Sequence, residues 1–177
     1  MRLARLPAMG LRVLRLALSA DSRRVWQTID RVQDLDPQAL VAAGVRGVLL
    51  DADATLVPHR GRVYGPEVYA VLRGLQDAGL RVAVYSNADD PEALRPLGVP
   101  VVSGVPLKPQ RRGFHAAIRR GLDLADPRQV VMVGDNLISD GAAVDAGLRF
   151  IYCRPIQGEE PWLHRTTRAW AEWWVGA

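Results

Sequence analysis

The stretch VRGVLLDADATLVP (residues 45–58) runs from six largely apolar residues straight into two acids one residue apart, Asp51 and Asp53. An apolar run of that length without polar alternation is the pattern of a strand buried on both faces, which belongs in a parallel sheet covered by helices. Carboxylates at the end of such a strand need a cation or hydrogen-bond donors to compensate them. The paired acids therefore mark a binding or reaction site as well as the end of a strand.

The rest of the chain is read outward from this strand. PEVYAVLRGLQDAG reads as a helix, with Pro66 near its start and Gly79 at its end. RVAVYS is a second strand, PEALRPLG a short helix and VPVVSG a third strand. PQRRGFHAAIRRGL is a helix opened by Pro109, QVVMVG a fourth strand, SDGAAVDAG a helix stopped by Gly147, and LRFIYC a fifth strand. Strand and helix alternating with short connections predict a doubly wound, Rossmann-like α/β domain over residues 21–177, with five parallel strands and helices on both faces. Residues 1–20 read as a separate basic amphipathic segment: if helical, Arg2, Arg5, Arg12 and Arg15 fall within an arc of about 140° with leucines largely opposite. Arg12 and Arg15 interrupt its apolar run, which argues against a cleaved signal peptide. Met9 is an alternative start.

The 177 residues suffice for one well-buried core, and the net charge of +4 suits an anionic partner without identifying one. Cys153 is the only cysteine, and no apolar stretch approaches the roughly 20 residues that span a bilayer. Both features predict a cytoplasmic protein, with the inner face of the membrane as an alternative place of work.

In doubly wound sheets, ligands bind beyond the carboxyl ends of the strands. The polar residues there are Asp51 and Asp53, then Ser86 and Asn87, then Lys108, then Asp135, Asn136 and Asp140. The chain's only asparagines are Asn87 and Asn136, and Lys108 is its only lysine among 23 basic residues. A compact ammonium can approach a phosphoryl oxygen and a carboxylate together, where a planar guanidinium is too large. Three carboxylates, Asp51, Asp135 and Asp140, beside a lysine and hydroxyls suit a hard cation such as Mg2+. With such a metal, one carboxylate can attack phosphorus while the acid two residues on protonates the leaving oxygen. Three scattered histidines and one cysteine offer no zinc cluster. Thr55 reads as a loop-bracing residue, His59 as a solvated loop histidine and Cys153 as buried packing.

The motifs DADAT, YSN, KP and GDNLISD, in this order over residues 51–140, resemble the four motifs of the haloacid dehalogenase superfamily of phosphohydrolases. Residues 21–174 resemble more closely its capless class IIIA branch of YqeG type, related to phosphatidylglycerophosphate phosphatases. The resemblance implies Asp51 as nucleophile, Asp53 as general acid/base, and Ser86, Asn87 and Lys108 around the phosphoryl group. It also implies Mg2+ held by Asp51, the Asp53 carbonyl and Asp135, with Thr55, Asn136 and Asp140 in support. The chain departs from the branch at Ala54, where asparagine is usual, and at Ser139, which keeps the hydroxyl of the usual threonine.

The expected substrate is a phosphomonoester, with a phospholipid head group such as phosphatidylglycerophosphate in the lead. Between Asp51 and Ser86, and between Ser86 and Lys108, there is no room for a lid domain, and an open site suits a bulky or surface-presented substrate. The tail PWLHRTTRAWAEWW, read as a helix, puts Trp162, Trp170 and Trp173 on one face and Arg165, Arg168 and Glu172 opposite. Two readings of the terminal helices stand: peripheral attachment to an anionic membrane, or packing on the domain. The alternatives in function are a soluble phosphatase of nucleotides or macromolecules, a phosphoacceptor module and a non-catalytic RNA-associated protein. No specific nucleic-acid partner and no oligomeric state is read from the sequence.

Overall fold

A computed structural model describes residues 5–58, 61, 63–88, 90–156, 169 and 173. The strands are β1 (Gln27–Ile29), β2 (Gly47–Leu50), β3 (Arg81–Val84), β4 (Val130–Gly134) and β5 (Arg149–Cys153). The α-helices are α1 (Arg5–Leu18), α2 (Pro37–Ala42), α3 (Pro66–Asp77) and α4 (Arg111–Leu122). The five strands form one sheet in the order β1-β5-β4-β2-β3, and every pairing is parallel.

The expected doubly wound fold is present, but its strand membership differs from the sequence reading in two places. VPVVSG is not a sheet strand; it touches β3 through a single bridge between Val84 and Val101. Pro100 has no N–H, so the ladder beside β3 cannot propagate through it. The fifth strand is β1, whose three residues include only one buried position, Ile29, and so carry no legible periodicity. The short helices expected over PEALRPLG and SDGAAVDAG are 3-10 turns at Glu92–Leu97 and Gly141–Ala146.

Successive residues of a strand point to opposite faces, and here both faces are apolar. Val48 and Leu50, Val82 and Val84, Val131 and Val133, and Ile151 and Cys153 pack on one side with Val68, Leu72 and Leu75 of α3. Leu49, Ala83, Met132, Phe150 and Tyr152 pack on the other with Phe114, Ala117, Ile118 and Leu122 of α4 and Leu16 of α1. Each fully buried Leu, Ile or Phe contributes about 1.5–3 kcal/mol. That is why apolar runs without alternation settle in the middle of this sheet.

In α1 one arginine of the basic face turns inward beside Leu16. Arg12 is buried, 3 % exposed, and its Nη1 pairs with Asp145 Oδ2 at 3.0 Å, while Leu11, Leu14 and Leu18 remain exposed. Trp173 is helical and exposed. His59, Trp162, Arg165, Arg168, Trp170 and Glu172 lie outside the described residues. Among the described residues, no helix is long and apolar enough to cross a membrane.

Two backbone positions invite measurement. A Cβ on Gly113 would fall 2.1 Å from the Pro106 carbonyl oxygen and 2.2 Å from the Tyr85 hydroxyl, so α4 approaches the preceding loop through a bare backbone. Helix propensity alone predicts that Gly113→Ala stabilises by about 1 kcal/mol. The close approach predicts a net loss of about 1–3 kcal/mol instead, read by urea denaturation. Ala54, in the loop after β2, has φ of 59° in the left-handed region. Such a conformation costs an L-residue with a Cβ roughly 1–2 kcal/mol. Ala54→Gly is expected to raise the unfolding free energy by up to about 1 kcal/mol in the same experiment, after the entropic cost of glycine.

Candidate active site at the ends of three strands

After β2 the chain passes through α3 to β3 on one side, then crosses back to β4 on the other side of β2. The chain direction across the sheet thus reverses at β2, and the crevice between diverging connections at such a point receives ligands. Asp51 follows β2 directly, Ser86 lies two residues beyond β3, and Asp135 follows β4. Three adjacent strands therefore deliver their first polar residues to one place, at the switch point.

Lys108 comes to this place from the loop before α4 and is 2 % exposed. Its Nζ lies 2.5 Å from Asp140 Oδ1, a hydrogen bond, and 2.8 Å from Asp51 Oδ1. The Asp51 contact is a close ion pair, and Asp51 Oδ1 has no partner beyond it. Burial works against the Lys108 charge, but Asp140 and Asp51 outweigh it and hold the ammonium above its ordinary range. Asp140 is wholly buried, and this desolvation pushes its carboxyl up to about 6 against the pull of Lys108.

The surroundings fix these groups from several sides. Asn87 grips the Lys108 backbone twice, its Oδ1 accepting from Lys108 N at 2.9 Å and its Nδ2 donating to Lys108 O at 3.0 Å. Beneath the ammonium lies the Tyr85 ring, with its centroid 5.5 Å from Nζ. The Tyr85 hydroxyl donates to the Pro106 carbonyl at 2.6 Å, and the ring packs edge-on against Phe114. Asp140 Oδ2 accepts from the Asn136 N–H at 3.0 Å, and Asn136 Oδ1 accepts from the N–H groups of Ile138 and Ser139. Asp140 fits against β4 because Gly134 has no side chain; a Cβ there would lie 2.5 Å from Asp140 Cγ. Behind Asp51 the loop coils on itself, with the Ala52 carbonyl accepting from the N–H groups of Thr55, Leu56 and Val57. Thr55 is buried there, and its Oγ1 has no hydrogen-bond partner. Ser86 is partly exposed, and its Oγ accepts from the Ala88 N–H at 3.3 Å.

One carboxylate oxygen from each of Asp51, Asp135 and Asp140 falls within 4.8 Å of the other two. Three carboxylates against one ammonium leave an excess of two negative charges, which a divalent cation would cancel. The donor set is all oxygen and its carboxylates outnumber the one ammonium among them, so the residues present fit a hard metal ion. Both Asp140 oxygens already serve Lys108 and Asn136, which leaves Asp51 and Asp135 as the more available ligands.

Structure thus brings Asp51, Asp135, Asp140 and Lys108 into one cluster, with Asn87 and Asn136 bracing it through backbone groups. Asp53 is partly buried and forms a bridge with Val57, four residues along the coiled loop. Tyr85 and Gly134 were not among the residues singled out from the sequence. Tyr85 sits inside an apolar run and reads there as packing. Only its position beneath Lys108 distinguishes it.

A family model for haloacid dehalogenase-like hydrolases matches residues 19–147. The chain is 24% identical over 144 residues to "Probable phosphatase YqeG" of Bacillus subtilis (strain 168), covering 79% of this chain and 82% of that one. It is 30% identical over 158 residues to a chloroplastic phosphatidylglycerophosphate phosphatase 1 of Chlamydomonas reinhardtii, covering 81% of this chain but 58% of the algal protein. Among solved structures, an uncharacterized protein from Corynebacterium glutamicum superposes with a TM-score of 0.50 at 24% identity, over 75% of this chain and 96% of that one. That last likeness concerns the fold. With its strand-end acids, its buried lysine and a match across most of its length, the chain belongs to the haloacid dehalogenase-like hydrolase family and is a phosphatase.

Proposed function

We propose that the protein hydrolyses phosphomonoesters through an aspartyl phosphate on Asp51, with Mg2+ held by Asp51, Asp135 and the Asp53 carbonyl. The observation that carries this reading is the Asp51 carboxylate, which lies 2.8 Å from a buried ammonium and beside the carboxylates of Asp135 and Asp140. A carboxylate in that condition is neutralised enough to meet an anionic phosphoryl group and keeps a lone pair with which to attack. The metal supplies further charge neutralisation on the phosphoryl oxygens.

An oxygen of Asp51 forms the new bond to phosphorus as the ester P–O bond breaks, and Asp53 gives its proton to the leaving alkoxide. Water then attacks the phosphorus of the aspartyl phosphate. Asp53, now ionised, takes a proton from that water, inorganic phosphate leaves, and Asp51 returns to its starting state. Lys108 and Ser86 receive the phosphoryl oxygens. Asn87 serves by holding the Lys108 backbone, and Asp140 by holding its ammonium. Thr55 and Asn136 brace the two loops.

A phospholipid head group is the leading substrate. Its support is the likeness to the algal phosphatidylglycerophosphate phosphatase, the net positive charge and the lack of a covering domain. Between β2 and β3 the described residues form one loop and α3, and between β3 and α4 only a 3-10 turn and loop, so the described residues insert no domain at either crossing. The outward leucines of α1 add support for peripheral contact with a membrane surface.

The deciding experiment is Mg2+-dependent phosphate release from phosphatidylglycerophosphate in vesicles, nucleoside monophosphates and sugar phosphates. The lipid is expected to give the highest kcat/KM. A higher value for a soluble phosphate would transfer the site to that class. Asp51→Asn should abolish release on every substrate while the protein stays folded, and Asp53→Asn should slow it by roughly 10²–10⁴-fold. Wild-type turnover in Asp51→Asn would rule out the covalent intermediate.

Lys108→Arg preserves charge but not shape. With Nζ confined between two carboxylates, the wider guanidinium must displace at least one of them, and a misplacement of about 1 Å can cost about 10²-fold in rate. Steady-state kinetics on the purified variant check this, and unchanged kcat would show that charge alone matters.

A further inference from the structure

Helix α1 reaches the acidic loop through one side chain. Leu137 lies in the segment from Asp135 to Asp140 that joins the two carboxylates. Its carbonyl accepts from Arg12 Nη2 at 3.2 Å, a buried hydrogen bond. The other arm of the same guanidinium, Nη1, donates to Asp145 Oδ2 at 3.0 Å, in the 3-10 turn that follows Asp140. Asp145 is itself fixed by the Ser22 hydroxyl, which donates to Oδ1 at 2.7 Å, and Arg15 lies 3.6 Å away. Gly141, between these two anchor points, leaves room for the guanidinium; a Cβ there would stand 3.2 Å from Arg12 Nη2.

Other hydrogen bonds hold the segment from within or through Lys108, and Leu137 and Ile138 pack into the core. Asn136 closes it through the N–H groups of Ile138, Ser139, Asp140 and Gly141, and Lys108 ties Asp140 to Asp51. These bonds set its internal shape. Arg12 joins it to α1. A planar fork can hold a carbonyl and a carboxylate at once, which an ammonium on a flexible stem cannot do with the same geometry. Arg12 also lies outside the residues matched by the family model, 19–147, so its role belongs to this chain's own N-terminal helix.

We propose that Arg12 is a positioning residue for the Asp135–Asp140 loop: by holding Leu137 and Asp145 with two arms of one guanidinium, α1 sets the placement of the loop's carboxylates and thereby the affinity of the site for Mg2+. The inference rests on reading these carboxylates as the metal site. It gives the N-terminal helix a part in shaping the metal site through Arg12.

The test measures Mg2+ binding to the metal-free full chain by isothermal titration calorimetry, together with the Mg2+ dependence of turnover and a thermal melt. Arg12→Lys keeps a cation for Asp145 but gives up the second arm. Leu16→Ala loosens the same helix by removing a buried apolar side chain that shares the core cluster of Leu137 but makes no hydrogen bond to the loop. Arg12→Lys is expected to weaken Mg2+ binding about tenfold, the usual weight of a residue that orients metal ligands from behind. The half-saturating Mg2+ concentration in turnover should rise by the same factor. Leu16→Ala is expected to melt earlier than wild type but to keep its Mg2+ affinity. Wild-type Mg2+ affinity in Arg12→Lys overturns the inference, and so does an equal weakening in Leu16→Ala, which would reduce Arg12 to general anchoring. Turnover persisting in Asp51→Asn would remove the aspartyl-phosphate chemistry alone, because the calorimetry reads the loop without any reaction.

Discussion

Buried between Asp51 and Asp140, the Lys108 ammonium is the interaction on which the rest of the site depends. A lysine so enclosed is costly unless its charge is matched at close range, and carboxylates so enclosed are equally costly without it. Each member therefore requires the others. Residues 57 and 32 positions apart along the chain from Lys108 meet here because their strands are neighbours in the sheet. The remaining features follow from keeping this contact in register. Asn87 fixes the lysine's backbone, Tyr85 supports its stem, and Gly134 gives Asp140 the space to lie against β4.

The scaffold makes such exactness affordable by being apolar on both faces. The sheet's central strands are filled on one side by α3 and on the other by α4 and α1, so their carboxyl ends have little freedom to shift. Polar groups placed just past those ends inherit that rigidity. The same geometry explains the one uncomfortable backbone position in the site. Ala54 takes a left-handed conformation because the loop must coil tightly enough for the Ala52 carbonyl to collect three N–H groups. Asparagine, which the resemblance implies here, tolerates this region better, yet this chain holds the turn with alanine.

The N-terminal helix shows how far local pattern can mislead. Its arginine stripe reads as a solvated or membrane-facing surface, since charges seldom lie inside. In the folded protein, Arg12 finds Asp145 and the Leu137 carbonyl, and the helix rotates so that this side chain is covered while Leu18 is 77 % exposed. A buried carboxylate far along the chain supplied the reason, and nothing within residues 1–20 announces it.

The sequence by itself determined the class of fold and the polar residues that stand at its strand ends. Unbroken apolar runs can be buried only as central parallel strands, and acids, hydroxyl and lysine stand at the ends of those runs because strand ends are where such sheets bind ligands. It also placed α3 and α4 to within a few residues, since their apolar spacing is local. Tertiary structure alone decided which segment completes the sheet, because β1 is an edge strand held by pairing with β5 and has almost no pattern of its own. It alone turned Asn87 onto the Lys108 backbone, set Tyr85 beneath the ammonium and sent Arg12 inward. Those outcomes depend on partners 21 to 133 residues away. Local sequence fixes periodicity and backbone preference, but a hydrogen bond or ion pair between distant residues exists only once the chain has folded and excluded water around it.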